Sequence, residues 1–204
     1  MEKNIDKFLA ELASSAPTPG GGGAAALCGA LGIALGNMVG NLTLGKKKYA
    51  DVQEDIQALN AEAEALRADF VTLIDADAEA FAPLSKAYAI PKDNPKRTEL
   101  MEAALLKAVQ PPMELMRKCV KALDVISGFA AKGSALAISD AGCAAALARA
   151  AADAAALNVF INTKSMSDSK TAYMLNTEAT SIVMHCNLVA GEIYDGVYGR
   201  LADG

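Results

Sequence analysis

The chain has no tryptophan, a single histidine, and only five tyrosines and five phenylalanines among 204 residues. One histidine, His185, with no motif around it rules out a recognisable Ser/His/Asp or Cys/His catalytic arrangement. The four cysteines, Cys28, Cys119, Cys143 and Cys186, are scattered, with no CxxC pair. That spacing predicts free thiols packed as small apolar side chains in a reducing compartment, and no zinc site. Basic blocks are also missing: 19 Lys and Arg stand against 24 Asp and Glu, for a net charge of −5. Nucleic-acid binding needs a local cationic excess, and Lys46-Lys47-Lys48 is too short to supply one. The N-terminus alternates charges and lacks the apolar core of a signal peptide, so the expected location is cytoplasmic. No short alternating runs bounded by turn residues occur, so no strand is expected.

What is abundant is small and apolar. Hydrophobic residues make up 52% of the chain while aromatics make up 5%. The core must therefore be built of Ala, Leu, Val, Ile and Met, which favour closely packed helices. A short amphipathic helix opens at Ile5, Phe8, Leu9 and Leu12. Two prolines and the glycines of 17–23 break it. A small-residue helix follows over about 24–44, with Gly29, Gly32, Gly36 and Gly40 on one face. It carries no charge and is long enough for a bilayer, yet nine of its 21 residues are Gly or Ala and it holds Asn37, Asn41 and Thr43. It reads as a buried helix of a water-soluble protein, not a membrane span.

From Val52 the apolar positions Ile56, Leu59, Ala63, Leu66, Phe70 and then Leu73 or Ile74 step by three or four residues, and Phe81, Leu84 and Tyr88 resume the pattern. They predict one long amphipathic helix, kinked near Pro83. A turn at 91–95 separates it from a helix over about 96–126 that bends at Pro111-Pro112. Ser127-Gly128 and 132–134 mark a break. Ser139 or Asp140 is the expected N-cap of a helix reaching Asn162, and Ser167 or Asp168 that of a last helix to Tyr198. With no linker and no repeat, residues 1–204 form one all-α bundle of about six helices.

Five places carry possible chemistry. Asp77 stands where the stripe of the long helix calls for an apolar residue, so its carboxylate is either paired in the interior or turned into a cavity. Asp75 points to a different side of that helix. The run Pro19-Gly20-Gly21-Gly22-Gly23 precedes a helix N-terminus, where free N–H groups favour anions or carbonyl oxygens; it is alternatively a plain inter-helix loop. It is neither a Rossmann fingerprint nor a P-loop. Asn158 and Asn162, one turn apart, form an amide pair able to read a heterocycle or to link helices. Asp140 shares their face but lies about 27 Å along the helix from Asn158, too far for both to touch one small group. Lys46 and Lys47 either complement a helix C-terminus or dock a ligand carboxylate.

Taken in order, Pro17-Thr18-Pro19-Gly20-Gly21-Gly22-Gly23, Leu42-Thr43-Leu44-Gly45-Lys46-Lys47-Lys48-Tyr49, Asp75-Ala76-Asp77-Ala78-Glu79-Ala80-Phe81, Ser139-Asp140-Ala141-Gly142 and Asn158-Val159-Phe160-Ile161-Asn162 resemble the cyclodeaminase/cyclohydrolase family over nearly the whole chain. That family contains the C-terminal half of formiminotransferase-cyclodeaminase and free-standing methenyltetrahydrofolate cyclohydrolases. The resemblance implies an all-helical homodimer and a folate site between the Gly-rich loop and the long helix. Asp77 matches the second Asp of the family's Asp-x-Asp-Ala-x-Ala-Phe motif. The lysines and the Gly-rich loop would hold the glutamate tail and the pterin, in an order left open. Asp140, Asn158 and Asn162 are further substrate contacts. A tetrahydrofolate derivative is expected as substrate, with no metal and no redox cofactor. Hydrolysis of methenyltetrahydrofolate is the first expectation, because the transferase half is missing. Cyclodeamination of formiminotetrahydrofolate, or folate binding without catalysis, are the alternatives.

Overall fold

The computed structural model describes residues 5–202. They form seven α-helices and two 3-10 segments, with no strand among the described residues. The helices are α1 (Ile5–Leu12), α2 (Gly21–Asn41), α3 (Gln53–Tyr88), α4 (Arg97–Ala108), α5 (Gln110–Lys132), α6 (Ile138–Thr163) and α7 (Ser169–Ala202); the 3-10 segments are Lys47–Val52 and Ala135–Ala137. The all-helical expectation holds. The helix foreseen over about 96–126 is divided at Val109, whose backbone closes α4 before Pro111 and Pro112 open α5. Proline is accepted in a first helical turn because the N–H it lacks has no intrahelical partner there.

Other boundaries moved for reasons of packing. Helix α2 starts at Gly21 rather than near residue 24, with Gly20 as N-cap. Helix α5 runs through Ser127-Gly128 to Lys132. Gly128 is no break: a Cβ there would stand 2.8 Å from a methyl of Leu59, so the missing side chain admits α3. Helix α3 is helical from end to end with Pro83 inside it. Neither Ser139 nor Asp140 caps α6. Ala137 takes the cap position without a side-chain bond, and Asp140 lies in the first turn. At α7 the expected cap is present, since Asp168 accepts hydrogen bonds from the N–H groups of Lys170 and Thr171 at 3.1 Å each.

The helices form two layers. Helix α6 lies between α2 and α7, and α3 and α5 pack behind them. One main core joins all of these helices, and a smaller cluster of Leu84, Ala87, Met101 and Leu105 seals α4 to the end of α3. Alanines of α6 supply much of the main core: Ala141, Ala144, Ala145, Ala148, Ala151, Ala152 and Ala155 are fully buried. Small side chains bring backbones together. A Cβ on Gly32 would stand 3.0 Å from the carbonyl oxygen of Ala144, and the Cys28 thiol donates to the carbonyl of Leu147 at 3.3 Å. These contacts make α2 and α6 antiparallel neighbours.

Helix α2 and the stretch 135–163 are long and apolar enough to cross a membrane. In the fold Ala25, Ala26, Ile33 and Val39 of α2 are buried within the bundle, as a core helix of a folded domain would be. All four cysteines are free, and Cys119 and Cys186 are buried as expected, whereas Cys143 is exposed. Burial pushes the Cys186 thiol up to about 11 and holds that of Cys119 well above the usual range. Both thiols stay protonated and act as apolar side chains.

Candidate active site

The first turn of α2 is the geometric centre of the site. Its glycines let side chains from two other helices reach the helix backbone. A Cβ on Gly22 would overlap the Asp77 carboxylate outright, and one on Gly21 would stand 3.1 Å from the Asn158 amide nitrogen. Consecutive glycines therefore receive the carboxylate of α3 and the amide of α6. Pro19 closes over the same turn, 3.4 Å from where a Cβ on Gly23 would sit. The Thr18–Pro19 peptide is cis.

Asp77 is half-buried, and Leu73, Pro111, Pro112, Leu115 and Gly22 form the narrow crevice around it. Burial raises its pKa above the ordinary carboxylate value, while the Gly23 N–H, donating to it, opposes that rise in part. No cation contributes. The α5 N-terminus also borders the crevice, yet two prolines open that helix and have no N–H to give. So Asp77 meets two helix starts but gains a donor from one. Such a carboxyl is poised to exchange a proton and to welcome a cationic ligand.

Asn158 lies against this centre, and Asn162 follows it one turn along α6. The Asn158 amide donates to the carbonyl of Ala154 at 2.9 Å. The Asn162 amide donates to the carbonyls of Asn158 at 2.9 Å and Ala108 at 3.5 Å. Asn162 thus donates to two backbone carbonyls and Asn158 to one, and neither side-chain carbonyl oxygen accepts a bond among the described residues.

Lys46, Lys47 and Asp140 lie elsewhere. Helix α2 spans 21 residues, about 30 Å, and the lysines follow its far end. They do not occupy its last turn: α2 ends at Asn41, and Lys46 precedes the 3-10 segment Lys47–Val52. Lys46 donates to Ser134 Oγ at 3.3 Å, and the Ala135 N–H donates to the Tyr49 hydroxyl at 2.9 Å. Donation from Ala135, then from Ser134, with Lys48 and Lys46 nearby, lowers the pKa of the exposed Tyr49 phenol. Asp140, in the first turn of the unbroken α6, belongs to this second end. Within one chain the Gly-rich loop and the lysines stand at opposite ends of α2.

Sequence reasoning passed over Asn60, Ser134 and Pro111-Pro112 as parts of these two ends. Asn60 interrupts the apolar stripe of α3 much as Asp77 does, and that signal was available. Ser134 is 1% exposed, and its N–H donates to Thr43 Oγ1 at 2.8 Å. His185 is exposed on α7, away from both ends of α2.

The class the fold and site define is an all-helical bundle with a half-buried carboxyl, free of any cation's influence, set against a glycine-opened helix start. Comparison with known proteins narrows the class. Residues 4–181 match the formiminotransferase-cyclodeaminase family, and the chain belongs to that family. It is 39% identical to the methenyltetrahydrofolate cyclohydrolase of Methylorubrum extorquens, over 98% of each chain. It is 29% identical to the formimidoyltransferase-cyclodeaminase of Rattus norvegicus over 95% of this chain, which spans 37% of that longer protein. The crystal structure of the formiminotetrahydrofolate cyclodeaminase of Thermotoga maritima superposes with a TM-score of 0.84 at 28% identity, covering 97% of this chain and 98% of that one.

Proposed function

We propose that this chain is a methenyltetrahydrofolate cyclohydrolase, which opens 5,10-methenyltetrahydrofolate to 10-formyltetrahydrofolate as a cytoplasmic homodimer. The observation that carries the reading is the 39% identity, over the full length of both chains, to a protein of that name. The geometry of Asp77 agrees with it. The substrate's reacting carbon lies between two nitrogens that share a positive charge, and Asp77 offers that charge a carboxylate with no competing cation.

The chemistry follows from that placement. Asp77 takes a proton from water as the water oxygen bonds to the carbon between N5 and N10. The hydroxyl proton of the resulting carbinolamine goes to solvent, and the C=O forms as the C–N5 bond breaks, with Asp77 returning its proton to N5. The net change adds one water and releases one proton. One group can serve as base and then acid when its pKa is drawn toward the working pH, the direction in which burial moves Asp77. The carbonyl oxygens of Asn158 and Asn162 and the first-turn N–H groups of α2 would hold the polar edges of the pterin.

Cyclodeamination is the second reading, supported by the TM-score of 0.84 to a protein named for that reaction. There N10 would attack the formimino carbon and ammonia would leave. Purified protein decides between them. Loss of methenyltetrahydrofolate absorbance above the spontaneous rate, with no ammonia from formiminotetrahydrofolate, supports the hydrolase. The reverse supports the deaminase. Binding without turnover in either assay refutes both.

A further inference from the structure

Two consecutive prolines leave two helix carbonyls without their usual donors. In an α-helix the carbonyl of residue i accepts from the N–H of residue i+4. For Lys107 and Ala108 those positions are Pro111 and Pro112, which have no N–H. Lys107 is exposed, and water can serve its carbonyl. Ala108 is 5% exposed, where an unpaired carbonyl is unfavourable. Met113, the next residue with an N–H, donates to the Val109 carbonyl at 3.2 Å. The donor that reaches the Ala108 carbonyl comes from another helix: it is the Asn162 amide of α6, at 3.5 Å.

That contact lies next to the candidate site. Pro111 and Pro112 form one wall of the crevice around Asp77. The groups packed against the carboxylate carry no charge: Gly22 and Gly23 of α2, Leu73 of α3, and Pro111, Pro112 and Leu115 of α5. No charged side chain, the neighbouring Asp75 and Glu79 included, adds to burial and the Gly23 N–H in setting its proton affinity. Its raised pKa therefore follows from how closely these walls exclude water. One turn earlier on α6, Asn158 lies against Gly21. Successive turns of α6 thus touch the two elements that enclose Asp77, the start of α2 and the α4–α5 junction.

We propose that Asn162 is a positioning residue: its amide stands in for the N–H that Pro112 lacks, ties the α4–α5 junction to α6, and so fixes the proline wall against Asp77. The junction needs such a tie. Val109 keeps helical angles, φ −79° and ψ −18°, so the prolines, and no loop, divide α4 from α5. The other N–H of the Asn162 amide bonds the Asn158 carbonyl one turn back at 2.9 Å, which fixes the direction of the side chain. The role belongs to the N–H side of the amide and leaves its oxygen to a ligand. Loss of the bond frees the junction, admits water to the crevice and lowers the proton affinity of Asp77. The consequence for turnover rests on the folate reading above; the consequence for the Asp77 carboxyl does not.

A double-mutant cycle with Pro112 tests the role. Asn162→Ala orphans the Ala108 carbonyl, and Pro112→Ala supplies an i+4 N–H in its place. The Asp77 carboxyl is titrated directly, by NMR of labelled aspartate carboxyl carbons, its signal assigned from Asp77→Asn. In Asn162→Ala the Asp77 pKa should fall toward the ordinary carboxylate value. Turnover should drop by roughly 10- to 100-fold through kcat, with the acid limb of its pH profile moving the same way. In the Pro112→Ala background the same substitution should change neither the titration nor kcat. An equal change in both backgrounds overturns the proposal. So does an Asp77 titration that Asn162→Ala leaves in place: with a raised KM, Asn162 is a ligand contact alone, and with only a lower urea midpoint, a structural link alone. An Asn162→Ala chain that does not fold should be rescued by Pro112→Ala, and no rescue refutes the role. If wild type turns over neither folate substrate, the functional reading fails, and the titration still decides the positioning role.

Discussion

The two ends of α2 use the same device for opposite purposes. At the start of the helix, Gly22 makes room for the Asp77 carboxylate, which has one backbone donor and no cation. At the other end, Gly40 makes room for the Asn60 amide. There the Asn37 amide donates to the Asn60 carbonyl and the Asn60 amide to the Asn41 carbonyl, each at 3.1 Å. Both are polar intrusions of α3 into a small-residue helix. One is satisfied by paired neutral amides, which hold the layers in register. The other is a desolvated acid that keeps one backbone donor. The contrast sets a polar contact satisfied within the bundle against a carboxyl that is not.

The contrast can be broken by substitution. Asp77→Asn should lower turnover by roughly 10²–10⁴-fold, the worth of a positioned acid–base group, with unchanged far-UV circular dichroism. Near-normal turnover would place Asp77 with Asn60 as a structural group. Gly22→Ala forces the carboxylate aside; activity should be largely lost, with about 1–3 kcal/mol of stability lost to overpacking. Gly40→Ala should do the reverse. It meets the Phe129 ring and Asn60 and should cost a similar 1–3 kcal/mol in urea unfolding, while kcat per folded molecule stays near wild type.

The pH dependence sharpens the same distinction. Because the Asp77 pKa is raised in the folded state, the native protein binds more protons than the unfolded chain between the ordinary Asp value and the raised one. Stability from this group is fully present below the unfolded pKa and is lost as pH rises through the folded one. Asp77→Asn should therefore match or exceed wild-type stability at neutral pH, and the difference should shrink in acid. In turnover, wild type should show an acid limb above the usual Asp range that the variant lacks. The smallest effect is expected next door. A Cβ on Gly23 meets only ordinary contacts, 3.4 Å to Pro19 and 3.7 Å to Ile74, so Gly23→Ala should stabilise the helix by up to about 1 kcal/mol. Destabilisation comparable to Gly22→Ala would remove the claim that Gly22 is special.

Much of the fold was legible because its signal is local. Steps of three and four residues marked α1 and α3, and the Asp168 cap needs only its neighbours in sequence. The failures were also local. Glycine was read as a breaker at 21–23 and at 128, where it is a site of close approach, since a glycine's partner belongs to another helix. Asp140 was read as a cap because its residue type favours caps, although Ala137 ended up in that place. Within the site, Asp77 was found because its charge violated a periodic pattern. Pro111 and Pro112 were seen only as a bend, because nothing in their own segment says that a carboxylate of α3 lies against them.

The sequence by itself determined that the chain is helical, small-residue packed, free of disulfides and built around an anomalous acid, since periodicity, composition and residue type act over a few neighbouring positions. Only the tertiary structure decided which residues share a site. It brought Gly22, Asp77 and Asn158 together from three helices and sent Lys46 and Asp140 to the opposite end. The physical reason is that a rigid helix of 21 residues keeps its two ends about 30 Å apart, however close the motifs that flank it stand along the chain.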